Sequence, residues 1–297
     1  MCKQYLMFEK PIKTIIFILL IGTIDTFAKK TPVVVDTTFL KCEYRTSHYT
    51  DTITKEHGIV MHDEFILQVG QKTSKYYSKL TDAYEKVKSD PKAWEVYWKE
   101  VELALEMAKK NGGHIEKMPL AIYGTLVIYN NYLQGKRTIQ DAVFFDYYIF
   151  EDDNLPQQWT MVPDSVKTIL NYKCRKALCS YRGRNYEAWY AVDLPVNAGP
   201  WKFSGLPGLI MSVQDTKGHY TFEISGLEKT KEPIEYIEYG ARKYSHTDRK
   251  TFLKTNAKAS NIGWQRYIEA NSPNSANNSN FNASGGGAKY DLLERDY

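Results

Sequence analysis

The sequence predicts an α+β protein that is mainly β: a curved antiparallel sheet or open barrel with packed helices. Three observations carry this expectation. From Leu120 to Ile224 strand-like segments follow one another with only short polar turns between them, and consecutive strands without an intervening helix pair antiparallel. The clearest helical period is confined to one stretch near residue 100. The 297 residues, 43% of them apolar, suffice to bury a sizeable core.

At the start of the chain, Lys3, Lys10 and Lys13 precede an apolar run from Ile15 to Ile24, with Ala28 just before Lys29 and Lys30. That run is shorter than the roughly 18 apolar residues of a membrane span and has the layout of a cleavable signal peptide. Residues 1–28 are therefore expected to be a signal peptide, and the protein to be exported to the periplasm or the exterior, with no transmembrane span in the mature chain.

Residues 29–245 are expected to form one β-rich domain with a helical insertion around 74–112. Two early strands are read in "FLKCEYRTSHYT" and "DEFILQVGQK". In the insertion, Ser89 and Asp90 suit a helix cap, Pro91 the first helical position, and Gly112-Gly113 a stop. Between them Trp94, Tyr97, Trp98, Val101, Ala104, Leu105 and Ala108 recur with helical spacing and predict an apolar face buried on the sheet. A weaker helix is read in "SKLTDAYEKVKS".

The central strands are expected in "LAIYGTLVIYNN", "AVFFDYYIF", "PQQWTMV", "TILNYKCRKALCSY", "YEAWYAVDL", "LIMSVQD" and "HYTFEISGL". Turns are read at "NLP", "PDS", "RGRN", "NAGP" and "DTKGH". A helix capped by Thr247 or Asp248 falls within a segment at 246–270. Residues 271–288 are an Asn/Ser/Gly linker with too little apolar surface to fold, and 289–297 a C-terminal segment with the pattern of a docking element.

Charge and composition remove several classes. A net charge of +4 without a basic stripe gives no footprint for nucleic acid. Cys2 leaves with the signal peptide, so export predicts one disulfide pair among Cys42, Cys174 and Cys179, with the connectivity open. Cys174 and Cys179, five apart, would face opposite ways on a regular strand. His57, His62, Asp63 and Glu64 are metal-ligand types, but a spacing of five puts both imidazoles on one face of neither helix nor strand. No metal and no cofactor are expected.

Around residue 200 the sequence is most distinctive. Gly205, Leu206, Pro207 and Gly208 stand directly before an apolar run, where glycine and proline suit a sharp corner into a strand. The alternative makes Trp201, Phe203, Leu206 and Pro207 an apolar lip over a ligand groove. Upstream, Arg182 and Arg184 beside Gly183 suit a bidentate carboxylate clamp or surface ion pairs. Tyr186 and Trp189 alternate with polar residues on the next strand, and Glu187 with Asp193 could serve as a hydrolytic acid/base pair.

Residues 171–215, with Gly183-Arg184-Asn185-Tyr186-Glu187-Ala188-Trp189-Tyr190, Gly199-Pro200-Trp201 and Gly205 to Ile210 in order, resemble the signature stretch of the GLPGLI family. The closing "YDLLERDY" is similar to the family's usual ending, with Asp291 and Leu292 in place of Asn-Pro. The resemblance implies export from a Gram-negative cell and a shared β-rich fold, and supplies no catalytic residue. The expected function is a non-catalytic binding or accessory module of the cell envelope, near the outer membrane, its partner an outer-membrane protein or an apolar or peptide ligand. The competing expectation is a periplasmic hydrolase with a carboxylate or histidine site.

Overall fold

The computed structural model describes residues 31–49, 60–110, 124–144, 146–239, 242–262 and 292–296. The expected signal peptide, His57, His114 and the 271–288 linker lie outside them. The described residues form fourteen strands and three helices. The first half runs β1 (Val33–Thr37), β2 (Leu40–Tyr49), β3 (Val60–Val69), β4 (Ser74–Ser78), α1 (Lys79–Ser89), α2 (Pro91–Lys110), β5 (Val127–Asn130), β6 (Lys136–Val143) and β7 (Asp146–Asp153). The second runs β8 (Thr160–Ile169), β9 (Tyr172–Tyr181), β10 (Arg184–Ala191), β11 (Leu209–Asp215), β12 (Tyr220–Glu228), β13 (Pro233–Tyr236), β14 (Tyr244–His246) and α3 (Arg249–Ile262).

Twelve strands make one open sheet in the order β14-β7-β6-β5-β4-β3-β2-β12-β11-β10-β9-β8. It consists of two meanders, β2 to β7 and β8 to β12, in which chain neighbours are sheet neighbours, as short turns require. The meanders join where β12 pairs antiparallel with β2, from Tyr220↔His48 to Glu228↔Lys41. Only the β14–β7 pair is parallel among the described strands. The mainly antiparallel, unclosed sheet predicted from the turn spacing is the observed architecture. β1 and β13 form a separate two-stranded ribbon.

Several local expectations need correction. "AVFFDYYIF" is not one strand, because Phe144 adopts φ +55° and the chain reverses there between β6 and β7. "TILNYKCRKALCSY" is split by Leu170 and Asn171, both at positive φ, the two-residue turn whose twist suits a hairpin. The "PDS" read as a turn is instead a bulge within β8, where the register slips between Val162 and Val166 and Asp164 sits at φ +57°. Ser74–Ser78, placed in the helical insertion, pair with β3 and β5 as a strand. β1, β13 and β14 carry too few residues to leave a periodic signal.

The helices begin where their caps dictate. Ser78 Oγ accepts the Thr81 amide at 3.3 Å, Asp90 Oδ1 the Lys92 amide at 2.9 Å, and Asp248 Oδ1 the Thr251 amide at 3.0 Å. The aromatic face of α2 meets α1 rather than the sheet. Tyr84 lies edge-on to Trp94 and Tyr97, each at 5.7 Å between centroids. A neighbouring helix covers the stripe, and α1 in turn rests on β3 and β4.

The main core fills one face of the sheet. Alternate residues of β2 (Leu40, Cys42, Tyr44) and β3 (Phe65, Leu67, Val69) meet Tyr186, Ala188 and Val213 from the second meander. Over them lie Phe252 and Leu253 of α3 and three side chains from the loop before β11, Trp201, Phe203 and Leu206. A smaller cluster of Ile66, Tyr77, Val127, Tyr129 and Tyr239 occupies the other face.

The predicted disulfide is absent: Cys42, Cys174 and Cys179 are free and buried. Cys174 and Cys179 are five residues apart on β9, too far along one strand to bond, and Cys42 on β2 stands four places away in the sheet order. Both β9 thiols are buried despite their odd spacing, because the β8 bulge and the slip between Trp189 and Tyr190 bend this part of the sheet. Burial pushes the thiols of Cys42 and Cys179 up to about 12, so they remain protonated packing groups.

Candidate functional site

The segment 192–208 leaves β10, folds over the core face and returns into β11. Phe203 N donates to Pro200 O at 3.1 Å, Leu209 N to Leu194 O at 2.9 Å and Ile210 N to Ala198 O at 3.0 Å, which closes the loop on itself. The connector after β7 holds it from outside: Gln157 accepts the Ser204 amide at 2.8 Å, and Trp159 Nε1 donates to Ser204 O at 2.7 Å. Buried Arg137 reaches Lys202 O at 2.9 Å.

Trp201, Phe203 and Leu206 point into the core, each 3% exposed or less, and only Pro207 of the four proposed lip residues faces solvent. Gly205 takes φ +94° against Pro156, a conformation that glycine adopts freely. Gly208 is needed for space, since a β-carbon there would stand 2.1 Å from Ala191 O. A backbone oxygen cannot step aside cheaply, so Gly208→Ala is expected to cost about 3 kcal/mol. Urea unfolding measures it; a change under about 0.5 kcal/mol would mean the corner is loosely packed.

Arg184 is buried as well, and Arg182 half-buried. Arg182 and Gly183, at φ +50° and +78°, form the β9–β10 turn, and the Arg182 side chain bonds Asp152 at 2.6 Å and Asp296 at 3.0 Å. Arg184, 4% exposed, bonds Asp215 at 3.1 Å and the Leu292 carbonyl at 2.8 Å. Both clamp carboxylates or carbonyls of the chain itself, as their fork geometry suggests, Arg184 in the interior and Arg182 in part at the surface, where it pairs with Asp296.

The two carboxylates of the candidate hydrolytic pair stand in different settings. Glu187 bonds Lys176 at 2.6 Å and accepts from Trp189 Nε1 at 3.0 Å, and although burial alone would raise its pKa, these partners hold it below the usual range. Asp193 sits exposed in the turn after β10. Trp189 is half-buried beneath Lys167, whose ammonium lies 4.7 Å from its ring. His62 is exposed and shares a hydrogen bond with Ser47 Oγ at 2.8 Å, and no group of metal-binding size occurs among the described residues.

Two other carboxylates are perturbed instead: Asp63, read from the sequence only as a metal-ligand type, and Asp141, which sequence reasoning did not single out. Asp63 of β3 and Asp141 of β6 share the core face of their strands, and their pKa values are raised to about 6. Burial is the main cause for each. It is opposed at Asp63 by the Glu64 amide and the Ser78 hydroxyl, and at Asp141 by Thr125 Oγ1 at 2.8 Å and the Ala142 amide at 2.8 Å. The only sequence signal was a carboxylate at a position alternating with Phe65 or with Ile139.

Because the native state holds these protons more tightly than the unfolded chain, their stabilising contribution is full below pH 3.8 and lost as pH rises through about 6. Asp152 and Asp296, held low by Lys202, Arg182 and Arg249 against the opposing effect of burial, act the other way and lose stabilisation in acid. The double variant Asp63→Asn/Asp141→Asn is thus expected to gain stability over the parent between pH 4 and 7.5, by about 2 kcal/mol after solvent screening. Urea midpoints at the two pH values read this out, and a pH-independent difference would contradict it.

One open cleft of about 500 Å³ lies at the end of the sheet where four connections meet. Its walls are the β3–β4 turn (Gly70 to Ser74), the β5–β6 turn (Asn130, Asn131, Gly135), Asn154 with Pro156, and the loop residues Pro195 to Gly199 with Ser204. Phe203, Val69 and Ala198 give it an apolar floor. Asn131 is fixed by bonds to Lys72 O at 3.0 Å and from Gly135 N at 2.8 Å, and Asn197 accepts the Gly205 amide at 2.5 Å. Gln71 and Lys72 stand exposed at the rim. No carboxylate, histidine or cysteine is among the described residues that line it.

The fold is thus a β-scaffold whose core face is covered by its own loop, with a loop-built cleft at one end. Residues 181–212, from the β9–β10 turn into β11, match the model of a family described as "Protein of unknown function (Porph_ging)". Two solved structures of PNGF-II, in P21 and C2 space groups, are similar to 75% of this chain with a TM-score of 0.44 and 14% identity. The matched region spans about a third of their length, 34% and 33%. No curated protein matches the sequence. No described helix is long and apolar enough to cross a membrane.

Proposed function

We propose that this protein is an exported, non-catalytic binding module of the cell envelope, working near the outer membrane, and that the end cleft takes a short extended peptide. The observation that carries the reading is the chemistry of the cleft: carboxamides and backbone groups around an apolar floor, with no carboxylate, histidine or cysteine among the described residues that line it. An extended peptide needs amide partners for its backbone and apolar contact for its side chains, and such a wall offers both. Lys72 is the only cation among the described residues of the wall, too little charge for a polyanion. Export is supported by the layout of residues 1–28. The filled interior argues against an apolar ligand carried inside the sheet.

Peptide display against the immobilised mature protein tests this. Retained peptides are expected to lose at least about tenfold in affinity against Gln71→Trp, which narrows the rim at an exposed position and leaves the urea midpoint within about 0.5 kcal/mol. Equal affinity for both proteins would remove the cleft as the site. Failure to retain any peptide, together with purification from the native envelope without a partner, would overturn the binding role.

A further inference from the structure

Residues 292–296 follow α3 only after the 29 residues 263–291, yet they are held against the centre of the fold. Four cations from separate elements take part: Arg182 of the β9–β10 turn, Arg184 of β10, Lys202 of the loop before β11, and Arg249 at the start of α3. Glu294 accepts from Lys202 Nζ at 2.5 Å and from Arg249 Nε at 2.6 Å. Asp296 pairs with Arg182 at 3.0 Å and also with Arg249.

The backbone of the segment is read as well. Arg184 donates to the carbonyls of Leu292 at 2.8 Å and Leu293 at 3.1 Å, and Arg182 O accepts the Arg295 amide at 2.9 Å. Leu292 is 5% exposed and anchors the apolar end. Carbonyls, an amide, two carboxylates and a leucine anchor are the elements by which a groove recognises a peptide ligand.

Charge balance says what the groove requires. Within the body of the fold the four cations form ion pairs with two carboxylates, Asp152 and Asp215, and Lys202 also feels the Asp141 carboxyl, which still leaves uncompensated positive charges in excess. Glu294 and Asp296 neutralise them. Lys202 and Arg184 are almost fully buried, and an uncompensated charge there is costly, so the groove demands an acidic occupant. The intervening sequence includes the Asn/Ser/Gly-rich stretch 271–288, and 29 residues can span up to about 100 Å when extended. The covalent connection alone does not confine the segment to its own groove.

We propose that this groove is an exchangeable receptor for an acidic Leu-Leu-Glu-x-Asp peptide, and that its partner is a second copy of this chain, which donates residues 292–296 in trans. In dilute solution the covalent tether favours the chain's own segment, since tethering supplies an effective concentration near the millimolar range. At high concentration, or when the resident segment is weakened, reciprocal exchange links two copies with no new contact type. The site shares no lining residue with the end cleft, although both draw on the loop before β11.

The test uses the full chain carrying Glu294→Gln and Asp296→Asn, and a fluorescent synthetic peptide of residues 288–297. The variant is expected to bind the peptide at least about 100-fold tighter than the unmodified chain, whose groove is already filled. Unlabelled peptide should compete, and a peptide with the same two substitutions should not. Mixed at high concentration, the variant and a differently tagged unmodified chain should co-purify. A folded variant that ignores the peptide, equal binding of the substituted peptide, or copies that stay separate would each overturn the proposal. If the variant does not fold, the unmodified chain with a protease site placed within 271–288 replaces it: after cleavage the labelled peptide must displace the resident segment, and failure to do so overturns the proposal. Gln71→Trp should leave all these readings unchanged, which separates this groove from the end cleft.

Discussion

Phe203→Ala is expected to destabilise the protein by about 3–5 kcal/mol, the range for removing a fully enclosed aromatic ring. Phe203 is 2% exposed and sits among Tyr186, Trp201 and Phe222, with centroid distances of 4.8, 5.2 and 6.0 Å. The ring reaches the core from a loop, so the loss combines transfer of the ring to water with a cavity that the rigid sheet beneath cannot close. For a chain of this size the midpoint of thermal unfolding should fall by about 10 °C. Phe203→Leu should recover more than half of the loss. A loss below about 1 kcal/mol for the alanine variant would show that the ring is dispensable to the core, and would restore the apolar lip as a reading of this stretch.

Arg184→Ala should cost a similar amount, about 3–5 kcal/mol, for an electrostatic reason. It leaves Asp215 buried without its cation and the carbonyls of Leu292 and Leu293 without a donor. It also removes the guanidinium stacked 4.7 Å from the ring of Tyr220. Asp215 keeps the amides of His219 and Tyr220 at 2.6 and 2.8 Å, so β11 itself should remain paired. Arg184→Lys preserves the charge but not the fork, and is expected to recover only part of the loss. Urea unfolding gives the total, and limited proteolysis between α3 and Leu292 reports release of the segment. Loss of stability without that release would place the effect at Asp215 alone.

The candidate site was legible only in part. The crowding of glycine, proline and aromatic residues between Gly199 and Gly208 marked the right stretch, because a corner that must pass within contact of Ala191 O excludes a β-carbon whatever surrounds it. The direction of its side chains was not legible. An aromatic at a loop position reads equally as a lip or as a plug, and the choice depends on whether the facing sheet leaves space. Likewise Arg182 and Arg184 announced carboxylate binding, but their partners come from residues 30 and 31 positions away and from the far end of the sequence. The cleft is built from four connections whose residues carry no mutual spacing signal.

Part of what is local was readable from the amino acids alone. The glycine-bearing hairpin turns at Gly183 and Gly218, the helix caps at Asp90 and Asp248, and the bend into Leu209 depend on residues within a few positions of one another, where φ preferences and hydrogen-bonding side chains act directly. Long-range assembly decided the rest. Pairing of β2 with β12, the turning of α2's aromatic face toward α1, the separation of the three cysteines, and the raised acids Asp63 and Asp141 all follow from which surfaces meet across the fold. Burial and charge compensation are properties of a packed environment, and a one-dimensional pattern carries them only as alternation between core and solvent.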